Sequence, residues 1–205
     1  MYKRQASVRL AAESALTSLE RDDGMTKSFL EQILRDSDRM NELISDLLDL
    51  SAMESSDVFM EAFDLHDVIA NEISYLSKQN KKRISYKKKK VEINANVDDI
   101  SLAVKNLIKN ALKYSPPEEN ILIQIEENDK SVRCSFQDFG SGISQSDQEK
   151  IFERFYRVDK GRSRKVGGTG LGLAIVKHAL DRNNAVIEIV SELDHGSNFT
   201  IVFEK

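Results

Sequence analysis

Apolar and polar positions recur along this chain with two different periods, and the change of period divides it. Between Phe29 and Leu50 the apolar residues Phe29, Ile33, Met40, Leu43, Ile44, Leu47 and Leu48 fall mostly three or four apart. Asp36, Asp38, Arg39, Glu42 and Asp46 take other positions. That spacing predicts a helix with one apolar stripe. Upstream, Val8, Leu10, Ala11, Ala15, Leu16 and Leu19 give a weaker helical pattern, and Arg21-Asp22-Asp23-Gly24 supplies a turn. Together they predict an αα-hairpin. Two such stripes cannot both be buried within one hairpin, so pairing with a second copy into a four-helix bundle is expected. A hairpin folded back on its own domain is the alternative.

After a short polar joint at 51–56 the pattern changes. Helices are predicted over 65–77, 99–114 and 171–182. Strands are predicted over 84–88, 91–94, 121–126, 132–137, 185–191 and 198–203. The closing strands alternate in a period of two, which suits a sheet with one covered face. Pro116 and Pro117 directly follow a predicted helix and stop it. The expected division is therefore 1–55 and 56–205.

Composition narrows the class. With 205 residues, 40 % hydrophobic and 31 % charged, the chain suits one to two packed domains rather than disorder. A net charge of −4 argues against bulk nucleic-acid binding. The lone Cys134 excludes an internal disulfide framework and fits a reducing compartment. No apolar run approaches about 18 residues, and the N-terminus has no apolar stretch behind its basic residues. A soluble, cytoplasmic protein with no membrane segment in this chain is expected. The basic run Lys81, Lys82, Arg83 and 87–90 borders a predicted edge strand, where lysines block sheet-to-sheet pairing; it reads as a solvated face.

Four clusters carry candidate chemistry. In NLIKNALKY, Asn106, Asn110, Lys113 and Tyr114 share one side of a helix, and an amide oxygen, an ammonium and an aromatic ring suit Mg²⁺, phosphate and a purine. Asp138-Phe139-Gly140-Ser141-Gly142-Ile143 ends a strand with alternate glycines that allow close backbone approach. Its carboxylate suits an exocyclic amine. In FERFYRVD, Phe152, Phe155 and Tyr156 are candidate anchors for a loop, and Arg154 and Arg157 are candidate phosphate partners. Gly167-Gly168-Thr169-Gly170-Leu171-Gly172-Leu173 opens a helix, exposing backbone N–H groups where the helix dipole favours an anion. It is neither a Walker A loop nor a Rossmann fingerprint.

In this order the clusters resemble the N, G1, F and G2 boxes of sensor histidine kinases, within the Bergerat-fold group that also holds gyrase, mismatch-repair and heat-shock chaperone ATPases. The resemblance spans residues 6 to 205. The F box and the hairpin ending LISDLLDLSAMES, Leu43 to Ser55, favour histidine kinases over other members, including the anti-sigma serine kinases. It implies an α+β fold: half of a dimeric four-helix bundle, then a Bergerat-type α/β sandwich. It implies ATP and Mg²⁺ as cofactors, with Asn110 holding the metal and Asn106 supporting it. Lys113 would touch phosphate, Tyr114 would lie along the adenine, and Asp138 would take the adenine amine. Gly140 and Gly142 would shape that pocket and Arg157 would steady the γ-phosphate. Gly168, Thr169, Gly170, Leu171 and Gly172 would form the loop over the phosphates. The family reaction is in-line transfer of the γ-phosphoryl to a hairpin histidine, then to an aspartate of a response-regulator receiver domain. A homodimer through the hairpin is implied, and complete family members are often anchored at the inner face of the membrane.

The resemblance breaks at one place. The family's acceptor histidine lies in a stretch like H-E-L-R-T-P-L in the first hairpin helix, but the histidines here are His66, His178 and His195. Residues 6–13 resemble the family segment just C-terminal to that stretch, placing the missing histidine just before Met1, and Met1–Gln5 match none of the box. The expectation is a truncated fragment that binds nucleotide without phosphorylating itself and dimerises more weakly than a complete kinase. A non-catalytic nucleotide-binding interaction module that docks a response regulator or kinase partner is the alternative.

Overall fold

A computed structural model describes residues 24–158 and 168–205. The upstream helical pattern over 8–19, the turn residues Arg21 to Asp23, and Asp159 and Gly167 lie outside the described residues.

The long periodic segment forms one helix, α1 (Gly24–Ser55). Its apolar residues split between two environments. Leu50 and Met53 are buried in the core of the following domain, whereas Ile33, Met40, Leu47 and Leu48 are exposed. The rest of the chain runs β1 (Glu61–Asp64), α2 (Leu65–Ser74), α3 (Lys78–Lys82), β2 (Ile84–Lys87), β3 (Glu92–Ala95) and α4 (Val97–Tyr114). It continues through β4 (Ile121–Glu127), β5 (Ser131–Gln137), α5 (Gln145–Gln148), a 3-10 turn (Lys150–Phe152), α6 (Gly172–Arg182), β6 (Ala185–Glu192) and β7 (Gly196–Glu204). The pattern of short polar turns and half-exposed residues hides β1, α3, α5 and the 3-10 turn from periodicity. None of them is longer than 5 residues.

Side-chain caps fix the main entry points. Asp64 Oδ1 accepts from the backbone N–H of His66 at 2.9 Å and of Val91 at 3.1 Å, capping α2 and joining it to the start of β3. Asn96 caps α4 by accepting from Asp99 N–H at 2.9 Å, a type of bond worth about 1 kcal/mol.

β1 and β3 form a two-stranded antiparallel sheet. The main sheet has the order β2-β4-β5-β7-β6, with β2 parallel to β4 and the other neighbours antiparallel. Registered rows such as Ile123–Phe136–Phe199–Ile189 and Ile125–Cys134–Ile201–Ile187 line its covered face. α2, α4 and α6 supply Leu65, Ile69, Ile100, Leu107, Ile175 and Leu180 to the same core. This is an α+β fold with helices over one face of a mixed sheet. β2 lies at a sheet edge beside the basic run, as expected. β6 alternates in exposure as the sequence predicts, but β7 is buried almost throughout, including Thr200 and Val202. β7 lies between β5 and β6, and the Arg133–Glu188 ion pair joins those two neighbours across it.

Candidate functional site

The site is assembled around the C-terminal half of α4. Ile100, Val104, Leu107, Ile108 and Ala111 are buried and fix the rotation of this helix. Asn106 is carried to a buried position where its Nδ2 donates to Leu102 O at 2.9 Å. Its Oδ1 is thereby turned toward the start of α6: a Cβ on Gly172 would approach it to 3.0 Å. Asn110 follows one turn later, half-buried. Lys113 comes next, and its ammonium lies directly under Gly168, where an added Cβ would stand 2.2 Å from Nζ. Burial holds the Lys113 ammonium below the usual lysine range, with Glu42 opposing that shift and Lys109 and Arg157 reinforcing it. Tyr114 turns about 100° from Lys113 along the helix and is 46 % exposed. Asn106, Asn110 and Lys113 thus share a side, and Tyr114 stands at its margin.

The Asp138 loop is braced between the end of α4 and the β6–β7 turn. Phe139 N–H donates to Ser115 Oγ at 3.1 Å and Asp194 N–H donates to Ser141 O at 2.8 Å. Asp138 is buried and accepts from Gly140 N–H at 2.9 Å. Burial pushes its carboxyl above the usual range, while the N–H groups of Gly140 and Ser197 pull it back. No side chain fits at Gly140, where a Cβ would meet Tyr114 O at 2.4 Å. Gly142 is tighter still: its φ is +64° and a Cβ would fall 1.8 Å from Glu192 O.

The FERFYRVD segment departs from expectation at two residues. Phe152 and Tyr156 are partly buried against the core, but Phe155 is 57 % exposed with φ of 66°. Its anchor is the backbone, since Phe155 N–H donates to Gly170 O at 2.8 Å and no Cβ fits between these strands of chain at Gly170. Arg154 pairs with Glu54 of α1 at 2.7 Å, so in this structure it meets a carboxylate of that helix. Arg157 contributes positive charge at Lys113 and Tyr114.

The glycine loop closes the site from above. Gly168 and Gly170 have φ of +116° and +78°. Leu171 is fully buried. Thr169 is buried, accepts from Leu171 N–H at 3.2 Å and donates to Asp46 Oδ2 of α1 at 2.5 Å. α6 has no side-chain cap of its own.

Between α1 and α4 lies a cleft of about 530 Å³ that reaches Asn106, Lys113 and Gly168. Its α1 wall carries carboxylates including Glu42 and Asp46, and its α4 wall carries Lys105, Lys109 and Lys113. Lys109 pairs with Glu42. Sequence reasoning misses this wall. The four-residue spacing of Lys105, Lys109 and Lys113 is a visible signal for one side of it; nothing in the spacing of Glu42 and Asp46 marks them as partners of residues more than 60 positions away.

The family model described as histidine kinase-, DNA gyrase B- and HSP90-like ATPase matches residues 95–205, and the His kinase A phospho-acceptor model matches residues 6–56. A sensor-like histidine kinase SenX3 of Mycolicibacterium smegmatis is 30 % identical over 95 % of this chain and 52 % of its own length. The phosphate regulon sensor protein PhoR of Pseudomonas aeruginosa is 38 % identical over 85 % of this chain and 41 % of its own length. The chain therefore spans about half or less of these curated relatives. The Acinetobacter baumannii histidine kinase AdeS shares the fold, with a TM-score of 0.66 at 19 % identity over 99 % of this chain and 96 % of that one. Among the described residues no helix is long and apolar enough to cross a membrane.

Proposed function

The chain belongs to the histidine kinase-, DNA gyrase B- and HSP90-like ATPase family, and from that premise we propose that it is the kinase portion of a two-component sensor histidine kinase. In this reading residues 1–55 are the dimerisation hairpin and residues 56–205 the catalytic domain. ATP binds between α4 and the glycine loop on the cytoplasmic side, where the nucleotide is supplied. The γ-phosphoryl passes to a histidine imidazole nitrogen with ADP as leaving group, then to an aspartate carboxylate of a receiver domain. The exposed Ile33, Met40 and Leu47, seven residues apart on α1, support a homodimer through the hairpin.

One observation carries the reading: Asn106, Asn110 and Lys113 share a wall, Gly168 and Gly172 approach that wall too closely to admit a Cβ without rearrangement, and the buried carboxyl of Asp138 follows directly on strand β5. Asp138 accepts from the adenine amine, with Tyr114 alongside the ring. Lys113 and Arg157 meet phosphate oxygens. The free N-terminal amides of α6 offer the partial positive charge that anions select.

The donor set fits Mg²⁺. That ion retains several waters and takes one or two protein oxygens beside substrate phosphates, and amide oxygens are what α4 offers. Asn110 would hold it and Asn106 would support Asn110. When bound, the ion neutralises charge on the transferring group. The protein's own share is positioning, for which the backbone contacts of Gly140, Gly142 and Gly170 supply rigidity.

The stretch matched by the phospho-acceptor model, residues 6–56, contains no histidine. We therefore propose that this chain binds nucleotide without phosphorylating itself and requires an acceptor supplied by another molecule. The same observation favours a second reading, a nucleotide-binding docking module without catalysis. Two measurements test these. Calorimetry with Mg²⁺-ATP is expected to show binding that Asn110→Ala abolishes; unchanged affinity in the variant rejects the site. Radiolabelled ATP is then expected to label a separately purified hairpin carrying the histidine and not this chain. Binding without any labelling of that hairpin selects the docking module.

A further inference from the structure

The cleft between α1 and α4 contains an arrangement that the transfer reaction does not use. Glu42 pairs with Lys109 and Asp46 accepts from the hydroxyl of Thr169 in the glycine loop. Both carboxylates line the same cleft as Lys113. Asp46 is only 8 % exposed, an unusual place for an acid. Burial pushes its carboxyl above the usual range, opposed by Thr169 and Lys109 and reinforced by Glu42 and Asp49. Two acids of α1 therefore pair with the Lys109 ammonium, one turn before Lys113, and with a hydroxyl of the glycine loop, both beside the place where the proposed nucleotide site needs phosphate.

We propose that Glu42 and Asp46 stand in for nucleotide phosphates, so that α1 docked on the catalytic domain and a bound triphosphate compete for Lys109, Lys113 and Thr169. This inference rests on the proposed nucleotide site. Its consequence is a built-in coupling. Triphosphate binding displaces the carboxylates and frees α1 from the glycine loop, and α1 held against the domain by any partner weakens nucleotide affinity. Arg154–Glu54, on the same side of α1, adds a second charged contact that the release would break. A surface pair is weak alone, so the coupling rests on both carboxylates together, and the apparent triphosphate affinity is reduced in proportion to the fraction of molecules in which α1 is docked.

The test is calorimetry of the full chain with the Mg²⁺ complex of a non-hydrolysable ATP analogue, and separately with AMP, for wild type and the E42Q/D46N variant. The variant is expected to bind the triphosphate about three- to tenfold tighter and AMP within about twofold of wild type, because AMP lacks the phosphates that compete. An E126Q/D129N control, which removes the same charge from an exposed β4–β5 region, is expected to change neither. Unchanged or weaker triphosphate binding by E42Q/D46N, or an equal gain for AMP, overturns the inference while leaving the site intact. Absence of triphosphate binding by wild type overturns the site and the inference together. Wild-type hydrogen exchange gives a second readout independent of variant folding: adding the triphosphate is expected to lower protection over residues 42–50, and unchanged protection there rejects the competition.

Discussion

Gly142 shows how much one residue decides. Its backbone occupies the left-handed region, and the space where a Cβ would go is filled by the carbonyl of Glu192. Gly142→Ala is expected to lower the unfolding free energy by about 2–4 kcal/mol and to displace the Asp138 loop. Denaturant unfolding measures the first effect, and loss of nucleotide binding under conditions where the variant is still folded reports the second. Asp46 supports a prediction in pH. A carboxyl whose folded pKa is raised holds its proton more tightly folded than unfolded. Its contribution to stability is therefore full below the unfolded value of about 4 and is lost as pH rises through the raised folded value. Asp46 and Asp138 share this sign. Asp46→Asn is expected to reduce the fall in unfolding free energy between about pH 4 and about pH 7. Urea unfolding at both values checks this, and a fall equal to that of wild type would show that Asp46 is not held raised.

Between elements, the joint from α1 to the following domain depends on Arg182 at the end of α6. Its guanidinium donates to Asp99 Oδ2 at 3.0 Å, to Ser56 O at 3.1 Å and to the carbonyl of Met53. Asp99 is also bonded by Asn183 Nδ2 at 3.0 Å. The Arg182 and Asp99 side chains are only 14 % and 6 % exposed, so removing one leaves the other's charge in a poor environment. Arg182→Ala is expected to cost about 3 kcal/mol of stability and to increase proteolytic cleavage in the joint at residues 56–60. A thermal midpoint within error of wild type would show that the pair carries no net weight. The helix α4 was legible as an element because its apolar residues recur every three or four positions. Arg182 with Asp99 was not, because a bond spanning 83 positions leaves no period in either segment.

For the whole molecule, α1 presents Ile33, Met40 and Leu47 to solvent on one line. Burying that line against a second copy would follow from the hydrophobic effect, at about 25 cal/mol per Å². Met40→Glu with Leu47→Glu is expected to shift the protein toward monomer in sedimentation velocity, leaving Mg²⁺-ATP affinity within about twofold because neither residue lines the cleft between α1 and α4. Dimerisation undiminished in this variant would place the interface elsewhere.

Local pattern determined a good deal here. The long amphipathic helix, the strands of the main sheet and the four glycine- and asparagine-bearing clusters are written in spacings of two, three and four residues, and such spacings depend only on neighbours. The glycines themselves are visible in the sequence, but the Lys113 and Phe155 contacts that exclude a side chain at Gly168 and Gly170 come from distant segments. Tertiary structure alone decided which surfaces meet. It turned Arg154 to Glu54 rather than leaving it for phosphate, buried Thr200 and Val202 of β7 where an ion pair bridges its neighbours β5 and β6, and set Asp46 against Thr169. Each of these comes from how finished elements pack, a property of the folded chain in three dimensions that no window of sequence contains.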